Sequence, residues 1–164
     1  MPTMLRDMDL NGTGYCAAFR FRMAARAVTR LYDTALQESG IRSTQFAILV
    51  AVAKKQPIAI HELSEILFID PTTLTRSLKL MRKEGFLTIS ERSAMRQRFV
   101  TLAPKGERAL ARAVPLWRKI QDRFVEQVGT RQWAELRDEL GELSALAETL
   151  GEEEAARAAA GKVG

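Results

Sequence analysis

The fold is decided by residues 69–86, which read IDPTTLTRSLKLMRKEGF. This stretch carries the start and stop signals of one helix. Asp70 is a good N-cap, because its carboxylate can accept a hydrogen bond from the unpaired backbone N–H groups of a first turn. Pro71 suits the first helical position, where its missing N–H costs nothing. Gly85 ends the helix, since glycine adopts the left-handed conformation without strain.

The predicted helix has two chemically different faces. Leu74, Leu78 and Met81 recur at the spacing of a buried stripe. At about 100° per residue, cations and short hydroxyls fall on or beside the opposite face. These residues are Thr72, Thr73, Thr75, Arg76, Lys79, Arg82 and Lys83. Such a face suits DNA, because short hydroxyls allow close approach and Arg can pair with guanine edges or phosphate. A solvated amphipathic helix is the alternative.

The residues before this helix predict a second, shorter helix. Residues 58–60 form a short apolar run after Pro57 and favour a brief strand. Residues 61–68 then have the pattern of a short helix, followed by a tight turn at Ile69 and Asp70. A short helix, a tight turn and a capped second helix with a basic outer face are typical of a helix-turn-helix.

A β-hairpin is predicted directly after the basic helix. Residues 87–102 contain two strand patterns separated by a polar turn at 91–96. Arg92, Arg96 and Arg98 put three cations at or near its tip. A hairpin in this place is a wing, and the narrow, negative minor groove of DNA attracts such arginines. An edge ribbon kept soluble by arginine is the alternative.

Long amphipathic helices are predicted on both sides of this module. Their apolar stripes are wider than one small winged module can cover. We therefore expect a helical dimer interface built from both ends of two chains, with an intramolecular bundle as the alternative. The fold class is mainly α with a small β-wing. The boundaries are 1–14 for a flexible N-terminal arm, 15–40 for a dimerisation helix, 41–103 for the winged helix-turn-helix module, 104–152 for C-terminal dimerisation helices, and 153–164 for a disordered tail.

Composition narrows the class of protein. The chain has 164 residues, of which 46% are hydrophobic and 27% charged, as in an ordinary soluble globular domain. Its formal net charge of +5 favours a polyanionic partner. We expect no membrane span and no signal peptide. The single Cys cannot form an intrachain disulfide, which fits the cytoplasm.

Catalytic and metal sites are not expected. One Cys and one His exclude a Cys/His metal site. Ser64 and His61 are one helical turn apart, but no third group is evident to orient them, and no glycine-rich phosphate loop is present. The sequence predicts no cofactor and no enzyme.

Together these features resemble the MarR family of bacterial transcription regulators. The resemblance runs from about Cys16 to Leu150, and its most specific part is residues 63–76, followed by 80–85. It implies a homodimer on a pseudopalindromic operator, with the basic helix in the major groove of double-stranded DNA. The residues that would face that groove are Thr72, Thr73, Thr75 and Arg76.

The resemblance also assigns the wing. Arg96 matches the arginine that enters the minor groove in that family. The family usually has an Asp two residues earlier, where this chain has Ala94. Arg92 or Arg98 could therefore share the role.

Two triggers are consistent with the resemblance. Many relatives bind a small aromatic or phenolic effector between the dimer helices and the winged module. Phe19, Tyr32, Phe46 and Trp117 are the candidates for such a pocket, and ordinary core packing is the alternative. Cys16 resembles the reactive cysteine of the peroxide-sensing branch. A helix N-terminus favours the thiolate, although a lone Cys is more often a small buried hydrophobe, and Phe46 stands where that branch has a Tyr.

The predicted function is that of a cytoplasmic, dimeric DNA-binding regulator, a repressor released by a small ligand. A thiol-based repressor that uses Cys16 is one alternative. A winged-helix protein-interaction module without specific DNA binding is another. Salt separates this last alternative from the first two, because phosphate contacts make affinity fall steeply as salt rises.

Overall fold

The computed structural model describes residues 11–92 and 97–161, without the side chain of Arg92. Helices dominate these ranges, and three short strands accompany them. This confirms the predicted fold class, mainly α with a small β-wing. The elements are α1 (Ala17–Leu36), α2 (Ser43–Lys55), β1 (Ile58–Ala59), α3 (Ile60–Leu67), α4 (Pro71–Lys83), β2 (Leu87–Arg92), β3 (Gln97–Leu102), α5 (Pro104–Val128) and α6 (Thr130–Ala160).

The three strands form one antiparallel sheet in the order β1-β3-β2. β2 and β3 are the predicted hairpin, with a register that runs from Leu87 opposite Leu102 to Arg92 opposite Gln97. The brief strand predicted after Pro57 pairs with β3, with Ile58 opposite Val100. The base of the wing is therefore joined to the chain that leads into α3.

The chain divides into two compact units, one ending at Arg118 and the other beginning at Lys119. The hydrophobic core lies in the first unit, among α2, α3, α4, the sheet and the first turns of α5. Its largest fully buried side chains are Leu36, Leu49, Val52, Ile58, Leu63, Leu74, Leu78, Met81, Leu87 and Val100. The winged module thus forms its core from one chain.

Helix α4 begins and ends as its sequence predicts. The Asp70 carboxylate accepts a hydrogen bond of 2.9 Å from the backbone N–H of Thr73, and Pro71 is the first helical residue. Gly85 follows the helix with a φ of 82°. Leu74, Leu78 and Met81 are 0–1% exposed. Because this stripe is locked in the core, the opposite face of α4 has a fixed orientation.

The turn between α3 and α4 has an unusual backbone at Phe68. This residue ends α3 with a φ of 50°, and a left-handed conformation costs an L-residue about 1–2 kcal/mol. The Ile69 N–H donates to the Ser64 carbonyl (3.1 Å), and the Ser64 hydroxyl donates to the Ile69 carbonyl (2.6 Å). Ile69 packs against the core while Phe68 is exposed. The turn is therefore well bonded despite its strained residue.

Helices α1 and α2 are joined through Asp33. Its carboxylate accepts hydrogen bonds from the Ser43 N–H (2.7 Å) and the Ser43 hydroxyl (2.6 Å), so it caps the start of α2 from α1. Burial raises the pKa of Asp33, but the Ser43 hydrogen bonds and the charge of Arg42 outweigh burial, and the pKa lies below its usual 3.8. The ionised carboxylate thus holds the two helices together.

Helix α5 starts against Phe86, the residue immediately before β2. The Ala103 N–H donates to the Phe86 carbonyl (3.0 Å). Gly106 is buried beside the same carbonyl, and a Cβ there would collide with it. From this start α5 is one helix to Val128, with Pro115 inside it.

Helix α6 continues to Ala160. The prediction of a disordered tail from residue 153 is therefore wrong for residues 153–160. Alanine has the highest helix propensity, and Arg157 pairs with Glu153 and Glu154 at helical spacing, which supports the last turns.

At the other end of the chain, residues 1–10 of the predicted arm lie outside the described residues, and Thr13–Tyr15 form a 3-10 turn. Within the described ranges, no helix is both long and apolar enough to cross a membrane.

Candidate nucleic-acid interface

The exposed face of α4 carries the predicted cations together. Arg76, Lys79 and Lys83 are exposed, as are Thr72 and Thr73 at its N-terminal end. Thr75 is half-buried at the edge of the face. This surface is rigid because the other side of the same helix lies in the core. It offers hydroxyls near one end of the helix and positive charges along its length.

The acid next to this face is bonded by neighbouring elements. The Glu84 carboxylate accepts a hydrogen bond from the Gln45 side chain (3.1 Å), and the Glu84 carbonyl accepts one from the Lys105 ammonium group (2.7 Å). Lys105 also lies 4.8 Å from the centroid of the Phe86 ring. The C-terminal end of α4 is thereby fixed to α2 and α5.

Of the three predicted wing arginines, the structure describes Arg98 in full and the backbone of Arg92. Arg98 is exposed and lies opposite Glu91 in the strand register. An opposite charge across the ladder partly compensates that cation. Arg92 lies opposite Gln97. Arg96 and Ala94, on which the resemblance placed the wing contact, lie outside the described residues.

Three of the four predicted effector residues meet at one cleft. Tyr32, Phe46 and Trp117 line a cavity of about 400 Å³. The rings of Phe46 and Trp117 stack with centroids 5.8 Å apart and an angle of 25° between their planes. Sequence reasoning missed the other lining residues, which include Lys54, Val50, Ile66 and Leu67. Val50 and Lys54 follow Phe46 at helical spacing on α2 and could have been found from that spacing, whereas the residues from α3 could not.

The polar groups of this cleft are a phenol and an ammonium group. Burial raises the pKa of the Tyr32 hydroxyl above its usual 10, so the group stays protonated at neutral pH. Lys54, in the last turn of α2, is an exposed cation of the lining. Phe19 is not among the lining residues and is 55% exposed, so a single chain does not bring it to the cleft with the other three.

A larger groove runs along the side of α4. It has a volume of about 1250 Å³, and Thr73, Ser77 and Leu80 form its wall on α4. Asp33, Gln45, Glu84 and Lys105 also line it, and each of them makes one of the hydrogen bonds described above. These four polar groups therefore already stabilise the fold.

Cys16 is an exposed free thiol directly before α1. Its carbonyl accepts a hydrogen bond from the Arg20 N–H (3.1 Å), which begins the helix. The Arg20 side chain donates to the Gly14 carbonyl (3.2 Å). The thiol is thus accessible in the single chain, unlike a buried structural cysteine.

Known proteins share this architecture. A sequence model described as MarR family matches residues 39–98. The transcriptional regulator MosR of M. tuberculosis, in a crystal structure with DNA, is 35% identical with a TM-score of 0.76, and the match covers 82% of this chain and 97% of MosR. A MarR mutant from E. coli in complex with operator DNA is 20% identical with a TM-score of 0.72, covering 83% of this chain and 99% of that one, which shows the fold. An HTH-type transcriptional regulator of Bacillus cereus is 23% identical over 124 residues, 76% of this chain and 81% of the relative.

The family match falls on the module that contains α4 and the wing. The match to MosR extends the likeness to nearly all of a regulator that binds DNA. These relatives are transcriptional regulators and not enzymes. The chain belongs to the MarR family of winged helix-turn-helix transcriptional regulators.

Proposed function

We propose that the chain is a cytoplasmic, homodimeric repressor that binds a pseudopalindromic operator and leaves it when a small aromatic ligand binds. The observation that carries this proposal is the exposed cationic face of α4, whose opposite side is fully buried. A rigid helix with hydroxyls near its N-terminus and cations along its length can enter a major groove and contact phosphates on both sides.

A second copy of the chain is supported by the apolar surfaces of α1 and α6. Phe19, Phe21 and Met23 are exposed on α1. Helix α6 exposes the leucines Leu136, Leu140, Leu143, Leu146 and Leu150. Exposed apolar surfaces of this extent mark interaction sites on soluble proteins. A two-fold dimer would cover them and set two copies of α4 on successive half-sites.

The aromatic cleft supports an effector. Its volume of about 400 Å³ suits one small ligand, and ligand pockets are typically apolar with few polar groups. Phe46 and Trp117 can cover the faces of an aromatic ring, while Tyr32 and Lys54 can bind a carboxylate or phenol on it. Ile66 and Leu67 belong to the end of α3, immediately before the turn into α4. A ligand that displaces them would move α4 relative to DNA.

A salt titration tests the proposal. Binding to a duplex from the promoter of its own gene is compared with binding to a scrambled duplex of equal length. We expect tighter binding to the promoter and a linear fall of log affinity with log salt. Equal weak binding to both duplexes would contradict specific recognition, and binding that ignores salt would favour a protein-interaction module instead.

A thiol switch is the second candidate, favoured by the exposure of Cys16. Peroxide would oxidise its thiol to a sulfenic acid and be reduced to water, and the changed group next to the start of α1 could disturb a dimer built on that helix. We expect peroxide to release the promoter duplex from the unaltered protein but not from Cys16→Ser. Equal release from both proteins would exclude Cys16 as the sensor.

A further inference from the structure

Phe68 is exposed at a position where neither its side chain nor its backbone favours it. The side chain is 65% exposed, and the residue has a φ of 50°. Of the residues that the structure describes, it is the one non-glycine residue with positive φ. For a bulky residue such a conformation is a true outlier. Strained residues of this kind concentrate where a protein binds its ligands.

The fold gives Phe68 no evident internal role. The hydrogen bonds of the turn use the backbones of Phe68 and Ile69 and the hydroxyl of Ser64, so they need no aromatic ring. Phe68 lines neither the aromatic cleft nor the groove beside α4. Glycine would adopt the same backbone without steric cost and would expose no apolar surface.

The place of Phe68 in the chain brings it next to the DNA-facing residues. It precedes Thr72 by four residues, which is at most about 14 Å along an extended chain. The major groove is about 12 Å wide, and recognition helices contact bases with their N-terminal residues. If Thr72 and Thr73 enter the groove, the preceding turn lies at its edge. The bonded turn fixes the position from which the Phe68 ring projects.

We propose that Phe68 is a specificity-determining DNA contact, whose ring packs against an apolar surface of the duplex beside the N-terminus of α4. Duplex DNA offers two such surfaces, the thymine methyl group and the deoxyribose. This inference rests on the proposed function. It extends the interface from the cationic face of α4 to an apolar contact on the turn before it.

The test compares Phe68→Gly, Phe68→Tyr and Arg76→Ala with the unaltered full-length chain. Affinity is measured for the promoter duplex and the scrambled duplex, and thermal unfolding is followed by circular dichroism. We expect Phe68→Gly to weaken promoter binding about tenfold, as the loss of a partly buried aromatic contact would. Its Tm should not fall, because glycine accepts the left-handed backbone. Phe68→Tyr keeps the ring and should bind as tightly as the unaltered chain.

A promoter duplex with deoxyuridine in place of thymidine identifies the contacted surface. Suppose that the unaltered chain binds the deoxyuridine duplex more weakly than the thymidine duplex, whereas Phe68→Gly binds the two duplexes equally. The ring then contacts a thymine methyl group. If Phe68→Gly is weakened equally on every duplex, the scrambled one included, the ring contacts only deoxyribose, and the inference that it determines specificity is overturned.

The failures are distinguishable. If Phe68→Gly binds normally while Arg76→Ala is weakened, the inference is wrong and the proposed function stands. If neither variant is weakened, the proposed function fails as well. A parallel fall of Tm and affinity in Phe68→Gly would assign the ring a structural role and overturn the inference.

Discussion

Helices α4 and α6 are both amphipathic, yet the apolar stripe of α4 is buried within the chain and that of α6 is exposed. The stripe of α4 is 0–1% exposed, whereas the five leucines of α6 are 36–53% exposed, and α6 has no buried residue. The difference shows that the winged module is complete within one chain. The leucines of α6 stay exposed in the single chain, as the proposed dimer interface requires.

The largest effect should follow from emptying the core beneath α4. Leu78→Ala removes a fully buried side chain and should lower the free energy of unfolding by about 2–5 kcal/mol. Denaturant unfolding measures the loss. Lys79→Ala, an exposed neighbour on the same helix, is the control and should change it by less than about 0.5 kcal/mol. A similar loss in both variants would contradict the contrast between the two faces of α4.

The next effect concerns the leucines of α6. Leu140→Asp combined with Leu143→Asp puts two charges into the proposed interface and should weaken dimerisation by about 2 kcal/mol or more. Sedimentation equilibrium measures the dissociation constant. Gly141→Asp combined with Ala145→Asp adds the same charges to the opposite, exposed face of the helix and is the control. Unchanged dimerisation in the first variant would place the interface elsewhere.

Arg76→Ala tests the exposed face of α4, which we propose contacts DNA. If Arg76 contacts a base, the variant should lose about 1–3 kcal/mol of promoter binding and relax specificity at one position. Competition with single-base variants of the promoter measures both effects. Lys55→Ala, a cation of the last turn of α2, is the matched control. A uniform loss on all sequences would make Arg76 a phosphate contact only.

A smaller effect is expected at the cap of α4. Asp70→Ala removes the acceptor for the Thr73 N–H and should lower the free energy of unfolding by about 1 kcal/mol. Asp70→Ser keeps a capping oxygen and should recover most of it. Thermal unfolding at one protein concentration compares the three proteins. Equal stability of Asp70→Ala and the unaltered chain would mean that packing alone starts this helix.

The smallest effect is the pH dependence at Asp33. Its folded pKa is lowered, so its ionised form stabilises the fold above the unfolded value near 3.8, and this stabilisation is lost as the pH falls through the folded pKa. Asp33→Asn should therefore be less stable than the unaltered chain at pH 6, and the difference should shrink toward pH 3. Denaturant unfolding at both values measures it. A difference that grows on acidification would reverse the assigned sign.

Local signals explain why α4 could be predicted from sequence. Asp70, Pro71 and Gly85 act within one turn of the helix ends, and the wing follows at hairpin spacing. The contact of Asp33 with Ser43 joins residues ten apart, and no local pattern announces it. The left-handed backbone at Phe68 could not be predicted, because this conformation is expected of glycine and not of phenylalanine.

The residues of the candidate site also differ in how far sequence could predict them. Residues on one face of α4 follow from helical period alone, so Thr72, Arg76, Lys79 and Lys83 could be grouped correctly. The cleft draws on four helices, and only its aromatic members and their neighbours at helical spacing on α2 could be named in advance. Phe19 was grouped with them by residue type, a criterion that carries no information about distance.

Gly106 imposes a different kind of constraint on the molecule. Because any side chain there would strike the Phe86 carbonyl, this position should tolerate no replacement, while the exposed Glu107 and Arg108 after it should accept many. The start of α5 thus depends on the smallest residue. In a population of diverging sequences, substitutions should accumulate at the exposed positions after this glycine and spare the glycine itself.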